Sequence, residues 1–573
     1  MALAVIAALA LSAEAVLAAG RGGTFAFVSL HDYTRPLLLG VAAAGLLLLI
    51  RFNSRAWRLT AMGLLALLGL GAAICFGRYA TPIITDADIA VGEVYVELAT
   101  RGNLLVGAYS RFGWHHPGPL PFYLTAPLYA ASGHQAATVY SAATLINLSA
   151  LVGIFWIIAA ESRGATAAIV TAGCMAVVWR LNWFLASPWN AHIGVLPAIL
   201  FVVSAAAIAS GAIRWWPVLV FAGSLAAQAH VGVVPLVVLV SGIALVTALA
   251  RRADRPRVRH ALNGALWLVA LLWALPLADV LANQGGNALA LWRFFVTEAA
   301  APHTIGETLG TGAYALLSLF RPEFDLPWGA HFEVHGLAWL APAAAAEVAG
   351  LALLAVWHSR RGHRFDAWLA GMALAATAVC VWSLGRVRGD ILSHELLRLA
   401  AIGSLNLGVL CAGLVHSVAA RTAPGLMSTL ATRSAGALVV AAAVTLAVRD
   451  LNALTAFEVR RERGRVRGVE AADAIAGFLA RGGLTRPLLV VGPDRYAEAA
   501  AVLLRLTQRG TRAAVDDGYV GMFSEAFRRT GDEDVTLVFA DLDQHRILRE
   551  QPGTTLLFQA MPLFVHVVPT AAR

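Results

Sequence analysis

TDADIAVGEVYVELATRGNLLVGAYSRFGWHHPGPLPFYLTAPLYAASG, residues Thr85 to Gly133, is the long polar-and-aromatic interruption in the N-terminal half of an otherwise apolar chain. It sets Asp86, Asp88, Glu93, Glu97, Arg101, Arg111, His115 and His116 between two strongly hydrophobic segments. Ionisable groups placed this way gather at one membrane face, and a carboxylate cluster there points to a reaction, or an ion, at the lipid surface.

The flanks decide the class. With 59% hydrophobic and only 13% charged residues over 573 positions, and a mean hydropathy of +0.70, the chain lacks the polar surface of a water-soluble protein. Apolar runs near the length needed to cross about 30 Å of hydrocarbon predict a mainly α, polytopic transmembrane bundle of about 11–13 spans. Candidate runs are 2–19, 36–50, 60–77, 138–160, 165–180, 190–212, 214–230, 231–250, 261–282, 337–357, 366–385, 395–418 and 434–449. The first contains Glu14 and no basic leader, so it reads as a helix and not as a removed signal.

Arginines orient the bundle. Arg51, Arg55 and Arg58, the dense run Arg251 to Arg259, His358 to Arg364 (HSRRGHR), and Arg421 to Arg433 fall on one side by alternation. By the positive-inside rule that side is cytoplasmic, which puts Thr85–Gly133 and the C-terminus outside. The net charge of +9 is largely spent on these loops, so nucleic acid is not an expected partner; membrane lipids are. Cys75, Cys174, Cys380 and Cys411 lie far apart in apolar runs and read as small core residues.

Three regions follow: extra N-terminal segments at 1–59, a transmembrane catalytic domain at 60–450 whose first outside loop is 78–137, and an extracytoplasmic α/β domain at 451–573. In the last, 471–481 and 497–508 have helical spacing, while 487–492, 512–516, 536–540, 554–558 and 564–568 read as strands. Its GPDRY lacks a GxGxxG fingerprint, so Gly492 is turn chemistry and the domain an acceptor-recognition or packing module.

Within the loop, Asp86 and Asp88 share a side only if the chain is extended; in a helix they diverge by about 200°. Either can be a general base, and either can be an N-cap for the run that ends near Thr100. Glu93 and Glu97 share one helical face, solvated or functional. Arg101 and Arg111 suit a phosphate, since a guanidinium fork matches its oxygens, or else pair with the nearby acids. The run Tyr109–Pro119, with Trp114, His115 and His116 among glycines and prolines, is a tight path of the kind that lines a cavity; adjacent histidines diverge, which argues against one metal held by both.

Other outside segments extend the constellation. Asn182, Trp189 and Asn190 suit a sugar, although tryptophan there is also the interfacial belt. Asp279 and Gly285–Asn287 are polar at the same face, and Gln228 and His230 either look into the same cavity or are satisfied core groups. Arg386, Arg388, Asp390, His394, Glu395 and Arg398 form a charged cluster fit for a polyprenyl phosphate headgroup or for structural ion pairs.

DADIA, YSRFGWHHPGPLPFYLTAPLY, SPWN and the GGN segment together resemble the GT-C superfamily of integral-membrane glycosyltransferases, near its protein mannosyltransferase and aminoarabinose transferase branches, over about residues 60–450. The two extra N-terminal segments fit that pattern less well. The resemblance implies an inverting transfer from a polyprenyl-phosphate sugar donor to a lipid, glycan or protein acceptor at the outer face of a bacterial cytoplasmic membrane. It makes Asp86 or Asp88 the catalytic base, and puts Arg111, Arg398 and Arg101 on the donor phosphate. Glu93, Tyr109, Trp114, His115, His116, Asn190 and His230 are then the substrate-contacting candidates, with a divalent metal ion as an option. Two other classes stay open: a transporter of lipid-linked glycans, which should show internal repeats, and a non-catalytic assembly subunit.

Overall fold

The computed structural model describes residues 85, 87–162, 164–181, 184–251, 255–297, 303–320, 334, 336–419 and 462–569, with isolated helical positions at 442, 446 and 450. The expected spans at 2–19, 36–50 and 60–77, and nearly all of 434–449, lie outside these residues, as do Asp86, Asn182 and Trp183.

The loop that interrupts the apolar sequence is itself helical at both ends. Helices α1 (Ala87–Thr100) and α2 (Leu120–Ala131) flank the Pro- and Gly-rich run, and Pro121 sits in the first turn of α2, where a missing N–H costs nothing. Then come α3 (Ala137–Glu161), α4 (Gly164–Arg180), α5 (Val195–Ser210), α6 (Trp216–Ala229), α7 (Val234–Ala250), α8 (Arg255–Leu272), α9 (Ala274–Ala282), α10 (Gly286–Trp292), α11 (Ile305–Leu316), α12 (Leu337–Arg360), α13 (Arg364–Leu384) and α14 (Ser393–Ala419). Among the described residues six helices are long and apolar enough to span a bilayer, or seven if the bent pair α8–α9 counts as one.

Helix α5 is apolar on every side, and all but the last of its residues are buried, so it forms the axis of the bundle, with α3, α6, α7 and α13 packed around it. Gly173 on α4 faces Gly408 on α14, and a Cβ on Gly173 would stand 2.9 Å from the Gly408 Cα, so these two backbones touch. Small residues at such crossings are how membrane helices gain packing where no hydrophobic drive separates protein from lipid. The 214–230 run yields a single 3₁₀ turn and the 14-residue α6. At about 21 Å that helix is too short to cross alone, and it is instead a mostly buried helix of the bundle.

Between α8 and α9 the axis bends by 54°. Pro276 explains it: lacking an N–H, it leaves the Leu272 carbonyl without its helical donor. Gln228 of α6 fills the gap, donating from Nε2 to Leu272 O (2.9 Å) while its Oε1 accepts from the Leu120 N–H (3.1 Å), an orphan donor at the start of α2. Gln228 is 1% exposed and serves as a clip between three elements, not as a cavity residue. Gln228→Leu strands both backbone groups; we expect a loss of about 2–4 kcal/mol, read as a lower thermal midpoint of the purified protein in detergent.

The C-terminal unit runs from α15 (Glu462–Gly482) through β1 (Pro487–Val491), α16 (Tyr496–Gln508), β2 (Ala514–Val515), β3 (Val535–Ala540), α17 (Leu542–Glu550), β4 (Thr555–Ala560) and β5 (Leu563–Val568). The sheet order is β2-β1-β3-β5-β4, parallel across β2, β1 and β3, and antiparallel through β5 and β4. Its alternating burial in β1 and β3 is the period-two pattern that the sequence shows.

This unit shares one hydrophobic core with α1 and α2. Tyr95 Oη donates to Met522 O (2.7 Å), Arg101 Nη2 to Thr507 O (2.9 Å) and Gln508 Nε2 to Tyr129 Oη (2.8 Å). The face of α1 that carries Glu93 and Glu97, open in sequence between solvated and functional, is therefore buried: Glu93 is 2% and Glu97 1% exposed. Helix α1 is covered because ADIAVGEVYVELAT is apolar around most of its circumference and needs cover on both sides.

Candidate active site

A cavity of about 1340 Å³ opens at the end of the bundle that carries α1, the α6–α7 junction, α9–α10 and the start of α14. A second cavity of about 320 Å³ adjoins it under the C-terminal unit, where Tyr496 and Met522 contribute to its wall. Asp88, Tyr109, Arg111, Trp189 and Asn190 line both. Asp88 is exposed in the first turn of α1, at the meeting point of the two spaces. The α1 helix begins at Ala87, so Asp88 is helical and not extended.

The glycine- and proline-rich run folds as a small hairpin. Ser110 N donates to Trp114 O (2.8 Å), His116 N to Ala108 O (2.8 Å) and Gly107 N to His116 O (3.2 Å), and Gly113 turns the tip at φ +80°. This presents Arg111 and Phe112 at the tip and buries Trp114 against Phe294 and Phe295, with centroids 5.4 and 5.7 Å away. The hairpin is fixed from below by Asn287, whose Oδ1 accepts from His115 N (2.7 Å) and whose Nδ2 donates to His115 O (2.8 Å). Asn287 is held in turn by the buried Asp279, which accepts from its N–H and from Asn283 Nδ2, both at 2.7 Å. The GGN and Pro276–Asp279 segments thus act on the hairpin's position.

The two histidines diverge. His115 turns toward the C-terminal unit, hydrogen-bonded to the Gly521 backbone and ringed by Tyr95 and Tyr109, outside the cavity wall. His116 faces the large cavity, stacked 4.5 Å from His230, and its Nδ1 accepts from Val231 N (3.1 Å). Burial first, then the Arg398 charge, drives the His116 pKa down to about 3, while burial takes His115 to about 4. Each is neutral when folded but binds a proton below about pH 6.5 when unfolded. Unfolding therefore takes up protons as pH falls from 6.5 toward the folded values, and stability falls with it. The expected loss is about 2 kcal/mol per histidine by pH 5, and His116→Gln should flatten the pH dependence of the thermal midpoint.

Arg398 enters the same space from the first turns of α14. It is 8% exposed, and its Nη1 donates to His230 Nδ1 (2.9 Å), which also accepts from Gly232 N (3.2 Å). A Cβ on Gly232 would stand 2.5 Å from the guanidinium, so the absence of a side chain there admits Arg398. Arg111, Arg386 and Arg388 line the wall as well, with Arg388 lying 3.8 Å over the Phe294 ring. Against these four cations stand Asp88, the hydrogen-bonded Asp279, and Glu395, which accepts from Leu392 N. The rest of the wall is mainly apolar, and Leu277, Leu281 and Trp292 in it are more than half exposed on the outside of the bundle. The cavity is therefore cationic inside and apolar where it meets lipid.

Three expected site residues lie elsewhere: His115, which lines neither cavity, and Arg101 and Glu93. Arg101 pairs with Glu97 (2.7 Å) and with the Thr507 carbonyl, which makes it part of the contact with the C-terminal unit and not of a phosphate site. Glu93 is buried between Thr85 Oγ1 (2.5 Å) and Tyr129 Oη (2.7 Å), with burial raising its pKa, and it touches only the smaller cavity. Tyr109, Trp114, His116, Asn190 and His230 do line the large cavity. Sequence reasoning missed Tyr496 and Met522, which no motif marks and which only the docking of the C-terminal unit brings here. Among the described residues, the grouping of three or more potential metal ligands lies away from this cavity.

A helical bundle joined to a mixed α/β unit defines the architecture, and a solved structure shares this fold. The chain superposes on ArnT from Cupriavidus metallidurans in the apo state with a TM-score of 0.51, 13% identity, and coverage of 89% of this chain and 98% of that one. The same protein bound to undecaprenyl phosphate gives 0.49 at 13% identity, over 90% and 99% of the two chains. The fold is thus ArnT-like. No family model and no curated protein sequence matches the chain.

Proposed function

We propose that this protein is a GT-C-type glycosyltransferase, moving a sugar from a polyprenyl-phosphate donor to an envelope acceptor at the outer face of a bacterial cytoplasmic membrane. The observation that carries the proposal is the large cavity: four arginines, an apolar wall open to lipid, and a carboxylate at its junction with a second cavity. Its volume exceeds the roughly 300–1,000 Å³ of ordinary small-molecule pockets, leaving room for a headgroup and the first lipid units. The fold shared with ArnT, an aminoarabinose transferase, supports the same reading.

In this mechanism the donor phosphate lies against Arg398 and Arg111, with Arg101 dropped from the set. The acceptor hydroxyl reaches the anomeric carbon from the smaller cavity. Asp88 takes its proton as the new C–O bond forms; the bond from the anomeric carbon to the phosphate oxygen breaks, and polyprenyl phosphate leaves with the electron pair. Attack opposite the leaving group inverts the anomeric centre. Trp114, His116, Asn190, Tyr109 and His230 shape the sugar's surroundings, and His116 and His230 act as neutral hydrogen-bonding rings. A divalent ion beside the phosphate would share the role of the arginines, and transfer with and without a chelator decides that point.

The test is transfer by the purified protein in nanodiscs, given a panel of polyprenyl-phosphate sugars and an envelope extract. Product from one donor class is expected. Donor that binds but is never transferred, and instead crosses a proteoliposome bilayer, would replace this reading with a transporter.

A further inference from the structure

His358, His363, Asp366 and His416 converge at the opposite end of the bundle. Ser383 of α13 and His394 of α14 line the large cavity. Asp366 precedes Ser383 by 17 residues and His416 follows His394 by 22, distances of about 26 and 33 Å along the helices. The cluster therefore lies on the far side of the membrane-spanning layer, at the HSRRGHR turn joining α12 to α13.

We propose that this cluster is a binding site for a divalent transition metal of the zinc type. Ligand atoms of His358, His363 and Asp366 all lie within 4.8 Å of one another. The His358 and His363 Nδ1 atoms are 3.4 Å apart, which matches the separation of about 3.4 Å for two nitrogens each about 2.0–2.1 Å from a tetrahedral ion. His416 borders this trio without belonging to it: its ring centroid is 5.1 Å from that of His363 and 5.8 Å from that of His358. His358, Asp366 and His416 surround a small void of about 10 Å³, the size of one water or one ion.

The chemistry of the set selects the ion. Two imidazoles and one carboxylate, with a fourth position left for water or the neighbouring His416, favour zinc over magnesium or calcium, which prefer all-oxygen shells. Ser162 at the end of α3 donates to Asp366 Oδ1 (2.6 Å), the kind of outer hydrogen bond that orients a ligating carboxylate. Arg361, which would oppose a cation, is drawn over the Trp357 ring at 4.3 Å. The alternative is a hydrogen-bonded histidine network, in which the two facing Nδ1 atoms share at most one proton. An ion would tie α12 to the start of α13 through side chains that the transfer reaction does not use.

The experiment uses the full chain in detergent, without a polyhistidine tag, stripped by chelator and titrated with zinc chloride against a chromophoric chelator. Cobalt chloride serves as a second probe. One equivalent of zinc per chain and the intense visible absorption of four-coordinate cobalt are expected. His363→Ala, in the turn, should weaken zinc binding about 100-fold while the thermal midpoint of the metal-free protein holds, and Ser162→Ala about 10-fold. No stoichiometric zinc, a pale six-coordinate cobalt spectrum, or unchanged binding by both His363→Ala and Asp366→Asn overturns the proposal.

Discussion

Asp88→Asn is expected to lower the rate of sugar transfer by a factor of about 10²–10⁴ while leaving donor binding and the thermal midpoint near those of the wild type. Asparagine keeps the size and one oxygen of the carboxylate but cannot accept the hydroxyl proton. Asp88 is exposed in the first turn of α1, so its loss opens no core cavity. The charge it removes near the α1 N-terminus is worth only about 0.3–1 kcal/mol to the helix. A helix-capping role therefore predicts a small stability change and normal kcat, whereas a base predicts a large fall in kcat with KM for the donor preserved. Asp86→Asn measured beside it separates the two acids. If Asp86→Asn alone abolishes transfer, the base is Asp86 and the geometric case made for Asp88 fails.

Much of this site is legible in sequence because membrane chemistry penalises polar groups so strongly that those present mark function or a specific partner. The hairpin at Tyr109–Pro119, the charged cluster ending in Arg398, and His230 all stand out of apolar surroundings, and all reach one cavity. The same logic misplaces Arg101 and Glu93, and leaves Gln228 open between the cavity and the core. Each is polar for a reason set by tertiary contact: a carbonyl on α16 for Arg101, hydroxyls of Thr85 and Tyr129 for Glu93, and the carbonyl freed by Pro276 for Gln228. Apart from Glu97, the i,i+4 neighbour of Arg101, these partners lie eight or more positions from the group they satisfy, so local spacing does not separate structural from functional polarity. Of the two readings of the Glu93 and Glu97 face, the solvated one fails for a related reason. A helix 14 residues long that buries Val96 as well as the single-face set Val91, Val94, Tyr95 and Leu98 needs cover on more than one side, and that cover comes from a domain some 400 residues further along the chain.

Arg398→Ala is expected to reduce kcat/KM for the polyprenyl-phosphate donor by about 10²–10³, the range seen when one preorganised donor to a developing oxyanion is removed. What holds the guanidinium sets this effect. Arg398 is buried with a neutral imidazole, His230 Nδ1, as its hydrogen-bonded partner. A neutral acceptor orients the fork without cancelling its charge, so the guanidinium's attraction for an anion is kept, in contrast to Arg101, which is neutralised by Glu97. A buried cation left this way costs free energy in the empty protein, and a phosphate entering the cavity recovers it. Alanine removes both the cost and the recovery, so the variant should be as stable as the wild type without donor, or more so, while losing the stabilisation that donor confers on the wild type. Arg398→Lys keeps the charge but not the planar fork, and should fall between the two in transfer. The reverse pattern, a destabilised Arg398→Ala protein whose remaining folded fraction transfers sugar at the wild-type rate, would make Arg398 a structural partner of His230 and move the phosphate to Arg111, Arg386 or Arg388.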